Sequence, residues 1–432
     1  MKSNTNGTTR RSLGYENTSQ IFLNKKYDYN KQYCSIYLAR LQEMEVLLME
    51  RVSSKWGDKY PIGKLHKLSD ENTEKCVVIG TLFKDQKLKP SILKQLTEPS
   101  VIVNTIHFTD GSDKLFIEDE IQRFELLGSI DLKYVVTGIS CALLGTSMGK
   151  GKFMVNDYLF PGYRNQVERP IFNDSAFVIF LSGIDFIHHE HYMPNLQLLS
   201  CWISGMLGDV DIVSKVTRII IAGNSIKSSS EKHNPEISII TRRTESTETI
   251  EAVASFDKFL SQLCQLVDID LMPGENDPSN HILPQREMHH CMFPLSTIFK
   301  SLHCVTNPYS FSLDGLKILG TSGQPVRDIM RYSEITESID AMESCFKWSH
   351  LAPTAPDTLG CFPCYDKDPF IIEECPHVFF SGNQKEFSTK MILGEEGQKV
   401  RLISIPEFSK TFEAAILDLK SLECSRIVFD KS

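Results

Sequence analysis

At 432 residues, with 41% hydrophobic and 23% charged residues, the chain has the composition of a soluble globular protein large enough for two or three domains. Its formal net charge of −9, with no Lys/Arg-rich stripe, argues against a protein whose main work is gripping phosphate backbones. No window approaches the ~18 apolar residues of a membrane span, and Met1 to Ser19 is polar with no apolar signal core. The twelve cysteines are therefore expected as reduced thiols in a cytosolic or nuclear protein.

Residues 1–30 are rich in small polar side chains and are expected to be a disordered tail. Tyr33, Ile36, Tyr37, Leu41, Met44, Leu48 and Val52 then fall on one helical stripe, with Gly57 as the stop. Five short strand patterns follow: "CVVIGTLFK" (Cys76–Lys84), "KLFIED" (Lys114–Asp119), "QRFELLGSI" (Gln122–Ile130), "GISCALLGT" (Gly138–Thr146) and "GKFMVNDYLF" (Gly151–Phe160). Five strands separated by turn signals predict a small OB-like barrel, so residues 31–174 form a helix-plus-barrel domain. Barrels of this kind often bind single strands through aromatics and a basic groove, but few aromatics here lie beside basic residues. "GTSMGKGK" (Gly145–Lys152) is not a phosphate loop. Three residues rather than four precede Gly149-Lys150, Gly151 stands where Ser or Thr is needed, and no helix follows, so it is expected as a hairpin turn.

From Ser175 the rhythm becomes strand and helix in alternation: "AFVIFL", the helical "LQLLSCWISGML", "RIIIA", the helical "IEAVASFDKFLSQLCQL" and "VDIDLM". "LKIL", "HVFF", "VRLISI", "AAILDL" and "RIVF" add a more strand-rich second half. The expected architecture over 175–432 is an α/β domain of two packed mixed sheets flanked by helices.

Open α/β sheets place their ligands in the loops at the carboxy ends of strands. Those loops are Ser182-Gly183-Ile184-Asp185, Ala222-Gly223-Asn224, Pro273-Gly274-Glu275-Asn276-Asp277, Gly320-Thr321-Ser322-Gly323 and Ser381-Gly382-Asn383-Gln384-Lys385. All turn on glycine, and the ladder resembles that of calcineurin-like metallophosphoesterases. That family's pattern is Asp-x-His, Gly-Asp, Gly-Asn-His-Asp or -Glu, a lone His, and Gly-His-x-His. Two metals ~4 Å apart there bridge a hydroxide and clamp phosphate, which demands carboxylates and imidazoles. On that pattern Gly183 and Asp185 stand for the first Asp and His, and Asn224 for the bridging Asp. Glu275 and Asn276 replace the Asn and His of the third motif, leaving Asp277. The Gly320-Thr321 turn lacks its His, and Asn383 and Lys385 replace both final histidines. Without an imidazole in the set, no catalytic residue, metal or cofactor is expected.

"MPGENDPSNHILPQ", "MFPLSTIFKSLHCVTNPYSFSLDGLKILGTSGQPVRDIMRYS", "LAPTAPDTLGCFPCYDKDPFI" and "CPHVFFSGN", with "QYCSIYLARL", "CVVIGTLFK", "ELLGSIDL" and "VVTGISCALLG" upstream, resemble the family of DNA polymerase delta small, or B, subunits. The resemblance runs from about residue 20 to the end of the sequence and is densest over its last 170 residues or so. It implies an OB fold joined to an inactivated phosphoesterase domain, and a nuclear role in DNA replication and repair. It also implies scaffolding of the catalytic subunit's C-terminal metal-binding cysteine module and of a third, accessory subunit, with DNA touched only indirectly or weakly. Two other readings stay open: an active metal-dependent phosphoesterase or nuclease, and an OB-fold binder of single-stranded DNA. Partner anchors are expected in the proline-studded loops "LAPTAPDTLGCFPCY" and "CMFPLSTIF" and at the domain junction.

Two further sets could ligate zinc. His188, His189 and His191 are near neighbours on one loop, and Cys361 and Cys364 precede Cys375 and His377. A solvated loop and buried thiols, respectively, are the simpler expectations. No Gly-x-Ser-x-Gly elbow offers a hydrolase nucleophile.

Overall fold

The computed structural model describes residue 10 and residues 12–23, 32–68, 74–90, 107–227, 239–364 and 366–430, with the backbone alone described over 239–246. Strand β1 (Tyr15–Asn17) precedes helix α1 (Cys34–Trp56), which ends at Gly57 with φ +62°. Then come β2 (Ile62–Gly63), β3 (Cys76–Asp85), β4 (Lys114–Glu118), β5 (Arg123–Gly128), β6 (Ser140–Gly149) and β7 (Lys152–Leu159). These pair in the order β2-β3-β4-β5-β7-β6, and β6 also pairs with β3, so five of them close on themselves and β2 is an added edge.

The pleat sorts the side chains. On β3, Val78 and Leu82 point into the closed sheet with Ile117, Leu143 and Phe153. Val77 and Ile79 point outward, where Leu41, Met44, Leu48 and Val52 of α1 cover them. Tyr33, at the start of the predicted stripe, stays exposed. The turn between β6 and β7 is the two-residue hairpin the spacing predicts, with Lys150 at φ 52° and Gly151 at φ 70°.

The second half runs β8 (Phe177–Leu181), α2 (Met193–Ile203), β9 (Val216–Ala222), α3 (Ile239–Cys264), β10 (Asp268–Met272), β11 (Leu302–Cys304), β12 (Tyr309–Leu313) and β13 (Leu316–Thr321). Helices α4 (Gln324–Tyr332) and α5 (Ser338–Lys347) precede β14 (Val378–Gln384), β15 (Ser388–Leu393), β16 (Lys399–Pro406), β17 (Glu413–Asp418) and β18 (Cys424–Val428). One sheet is β11-β10-β9-β8-β17-β18, with β8 to β11 parallel; the other is β1-β12-β13-β14-β16-β15, with β13, β14 and β16 parallel. Alternation again assigns the faces. Val178, Phe180 and Ile220 meet Phe311, Ile318, Phe380 and Ile403 between the sheets. Ile179, Leu181 and Ile219 face Leu196, Leu199, Phe256 and Leu260 of α2 and α3. Parallel strands buried on both faces are why these segments are continuous apolar runs.

Two expectations need correction. The tail expected to be disordered over 1–30 contributes β1, which pairs antiparallel with β12. Tyr15 hydrogen-bonds Tyr309 through their hydroxyls at 2.9 Å, and the Arg218 guanidinium lies 4.0 Å over the Tyr15 ring. A three-residue strand leaves no period to detect; its partner groups lie far along the chain. Residues 1–9, 11 and 24–30 of that tail lie outside the described residues.

The second correction concerns the proline-studded loop. Leu351, Ala352, Ala355, Cys361, Phe362 and Cys364 are buried, so their apolar area is spent inside the protein and not offered to a partner. They belong to one continuous core that joins the barrel interior to the outer face of the second sheet, where Ile329, Met342 and Phe346 pack on Leu319, Phe379 and Leu402. In the other loop Phe293 is also buried, while Leu295 and Ile298 remain exposed.

The junction also buries Lys84 of β3, whose Nζ donates to the carbonyls of Val135 at 3.4 Å and Tyr332 at 3.0 Å. Burial holds its pKa down to about 8, from 10.5. The folded value lies below the unfolded one, so between pH 8 and 10.5 the unfolded chain binds the extra proton and stability rises with pH. Lys84→Met is expected to flatten that part of the profile relative to the parent chain, as followed by denaturant midpoints. A parent-minus-variant difference that stays constant across the window would show that Lys84 is not the group titrating.

Candidate functional site

The five glycine loops meet at the carboxy ends of β8, β9, β10, β13 and β14. Gly183 N donates to Gly223 O at 2.9 Å and Asp185 N to Asn224 O at 3.2 Å, tying the first loop to the second. The second is tied to the third, because Asn276 N donates to Asn224 Oδ1 at 3.1 Å. The fifth reaches three neighbours: Asn383 N donates to Ser182 Oγ at 2.8 Å, and Asn383 Nδ2 to Ala222 O at 3.0 Å and Ser322 O at 2.8 Å. Asp185, Asn224 and Asn383 all hold left-handed backbone, at φ 54°, 54° and 55°, which Asn and Asp tolerate better than other side chains.

Asp277 is buried at the centre of the third loop. Its Oδ1 accepts from Ile226 N at 2.9 Å and its Oδ2 from Gly274 N at 2.8 Å. Burial pushes its pKa up to about 6, against the pull of backbone N–H groups of Ile226, Gly274, Ser225 and Asn224. One oxygen thus ties the third loop to the chain just after the second, and the other closes the third loop on itself. Glu275 is exposed and ion-pairs with Arg327, and Lys385 is exposed. Thr321 is buried and its hydroxyl accepts from Gly323 N at 3.3 Å; Gly320 lies against the Phe380 ring.

Side chains outside the ten expected positions complete the cluster. Asn307 Nδ2 donates to Gln285 Oε1, Ser322 Oγ and Gln324 Oε1 at 2.7, 2.6 and 3.0 Å, and its Oδ1 accepts from Ser322 N at 3.0 Å. Gln285 Nε2 donates to Gly274 O at 2.9 Å. The signal available for them was their place in the stretches "HILPQ" and "VTNPYS", since no spacing links Gln285 to Asn307. Chemically the arrangement is amide-rich. Amides donate and accept at once, so they latch backbone loops; they do not balance the charge of two metal ions.

Neither candidate zinc set comes together among the described residues. His188 Nδ1 lies 2.9 Å from Asp185 Oδ2, while His189 stacks on Phe186. Both ring nitrogens of His377 are engaged, Nδ1 by Lys317 N at 2.9 Å and Nε2 by Val167 O at 3.0 Å. Burial pushes the Cys361 and Cys375 thiols up to about 12, which suits core thiols. The group of three metal-type donors found among the described residues lies elsewhere, at His289, His290 and Cys291.

Known proteins share both halves of this chain. Residues 178–389 match the family model of the DNA polymerase alpha/epsilon B-subunit, and residues 32–158 match that of the DNA polymerase delta subunit OB-fold domain. The first covers the glycine-loop cluster through Asn383 and the second the closed sheet. A Drosophila melanogaster protein named DNA polymerase delta subunit 2 is 38% identical over 98% of this chain and 99% of its own length. The DNA polymerase delta small subunit of Arabidopsis thaliana is 39% identical over 97% of this chain and 96% of its own, and that of Oryza sativa subsp. japonica 38% identical over 98% and 99%. Identity at that level along nearly the whole length, with both family models in chain order, means that the chain belongs to the DNA polymerase delta small-subunit family.

Proposed function

We propose that this chain is the non-catalytic accessory subunit of a DNA polymerase delta, acting in the nucleus. In this reading it holds the C-terminal cysteine module of the catalytic subunit and a further accessory subunit. Its architecture is a five-stranded OB barrel, within 31–174, followed by a degenerate calcineurin-like phosphoesterase domain over 175–432. Gly183, Asp185, Asn224, Glu275, Asn276, Asp277, Gly320, Thr321, Asn383 and Lys385 are the remnant of its metal rim. The observation that carries this reading is the latching of the rim: Asn224 Oδ1, Asp277 Oδ1 and Asn383 Nδ2 each bond a neighbouring loop, and Asp277 Oδ2 closes its own. A two-metal hydrolase needs the same positions free, anionic or imidazole-bearing, and pointed at metals. A rim latched in this way suits a rigid scaffold instead. The continuous core between barrel and α/β domain supports a partner surface that spans both, because the two cannot shift independently.

The barrel carries one aromatic and basic cluster that favours the single-strand reading: Arg123 lies 4.1 Å over the Phe83 ring and 5.6 Å over Phe116. Its charge is answered locally. Arg123 pairs with Glu118, and Lys114 and Lys152 both pair with Glu125 at 3.3 and 3.4 Å. In this reading any direct DNA contact is weak.

The test is to incubate the purified chain with manganese and either single-stranded DNA or an aryl phosphate. No turnover above that of Asn224→Ala is expected. Manganese-dependent turnover that vanishes in Asn224→Ala would overturn the scaffold reading. A pull-down from nuclear extract that fails to bring down the polymerase catalytic subunit would overturn the partner assignment.

A further inference from the structure

Between β10 and β11 the chain reads "EMHHCMF", Glu287 to Phe293. Met288 and Phe293 are buried, and between them His289, His290 and Cys291 are exposed. The buried pair fixes the segment at both ends; the Phe293 ring meets the Phe256 ring edge-on, with centroids 6.0 Å apart. The turn is closed by its own hydrogen bonds, Met292 N to His289 O and Phe293 N to His290 O, both 3.0 Å, and Cys291 N to His289 Nδ1, 3.2 Å. Just beyond, buried Asp257 accepts from Leu295 N at 2.8 Å and Ser296 N at 2.9 Å. The two imidazoles stack with centroids 4.3 Å apart, and the donor atoms of all three residues lie within 4.8 Å of one another.

Three near-adjacent donors on a floppy loop would point apart and offer a metal little. Here the pedestal is rigid and the donors already converge on one side. We propose that His289, His290 and Cys291 form a surface site for a zinc-class divalent ion, with the fourth position open to water. Two imidazoles and a thiolate make a borderline-soft set that suits zinc and disfavours magnesium or calcium, which want oxygen. Zinc–nitrogen bonds of about 2.0–2.1 Å and a zinc–sulfur bond of about 2.3 Å place tetrahedral donors roughly 3.3–3.7 Å apart. From the present spacing, rotation about exposed side-chain torsions closes the gap without moving the backbone. On binding, the Cys291 thiol loses its proton to solvent and its sulfur takes up the bond to the ion, so affinity rises with pH. His289 Nδ1 accepts a backbone N–H, so an ion at Nε2 requires the ring proton to move to Nδ1 and gives up that one hydrogen bond. Three coordinate bonds outweigh it.

Cobalt(II) is the probe, because its absorption reports the ligands. Titrating it into the full chain is expected to give a thiolate-to-cobalt charge-transfer band in the near ultraviolet that zinc then displaces. Cys291→Ser should abolish the band. His289→Ala and His290→Ala should each weaken binding about tenfold or more. Cys34→Ser, at another exposed thiol, and His188→Ala should leave it unchanged. Circular dichroism identical to the parent's checks that each variant is folded. No charge-transfer band, or one that survives Cys291→Ser, would overturn the site.

Discussion

Replacing Arg40 with alanine is expected to cost about 3–5 kcal/mol of stability, the range for breaking a buried ion pair by removing one partner. Arg40 is fully buried in α1. Its Nε donates to Asp368 Oδ2 at 2.7 Å, its Nη1 to Gly138 O at 3.0 Å and Pro353 O at 2.8 Å, and its Nη2 to Ala355 O at 2.6 Å. One guanidinium thereby ties the first helix to the barrel and to the proline-studded loop of the α/β domain. Asp368 is fully buried too and accepts from His350 Nε2 at 2.9 Å and Phe370 N at 3.0 Å. Burial works against its charge, but Arg40 and the hydrogen bonds hold its pKa well below the usual carboxylate range. Burial and the Arg40 charge together push His350 down to about 4, so it stays neutral at pH 7 and donates. Alanine at 40 would strand a buried carboxylate and three buried carbonyls. Gly138 belongs to the same device. A Cβ there would lie 1.9 Å from Pro353 O and 2.7 Å from Arg40 Nη1, at φ +93°, where a side chain is strained in any case. Denaturant unfolding of Arg40→Ala, Asp368→Asn and the double variant measures the coupling. A loss under about 1 kcal/mol for Arg40→Ala, or fully additive effects, would show that the cluster is not what joins the domains.

Gly274→Ala is expected to be among the most damaging single-methyl changes in the rim, at about 3 kcal/mol. The added Cβ would sit 2.2 Å from Asn224 N, 2.4 Å from Asn224 Oδ1 and 2.9 Å from Gly223 C. Those are backbone atoms and a side chain already engaged, so the second and third loops must separate. That breaks the Asn276 N to Asn224 Oδ1 bond and shifts the Gly274 N–H that Asp277 accepts. Gly63→Ala is the matched control. Among the described residues nothing lies within 4 Å of a Cβ there, and its melting should match the parent's. If thermal unfolding of Gly274→Ala also matches the parent's, the rim is looser than these contacts require and is not a closed scaffold.

The sequence by itself determined what local periodicity and turn chemistry encode. Helical spacing marked α1 from Ile36 to Val52, and alternation or unbroken apolar runs marked the barrel strands and β8, β9 and β10. Glycines after strand ends marked all five rim loops. The absence of imidazoles from Asn224, Asn276, Asn383 and Lys385 was also legible, because a residue's identity at the end of a strand needs no tertiary information. Short helices α4 and α5 and strands β1, β2, β11, β12 and β15 were not read, since two or three helical turns, or a strand of two to six residues without an unbroken apolar run, give period too little length to act on. Only the tertiary structure decided which distant groups meet. Arg40 and Asp368 stand 328 residues apart in the chain and 2.7 Å apart in space. The apolar loop from Leu351 to Cys364 looked available to a partner because composition reports how hydrophobic a segment is, not which surface it covers. Burial between the barrel and the second sheet turned it inward. The reverse happened at His289, His290 and Cys291. Nothing in that tripeptide predicts convergence, and it is the anchoring of Met288 and Phe293 in the core that sets three donors side by side on the surface.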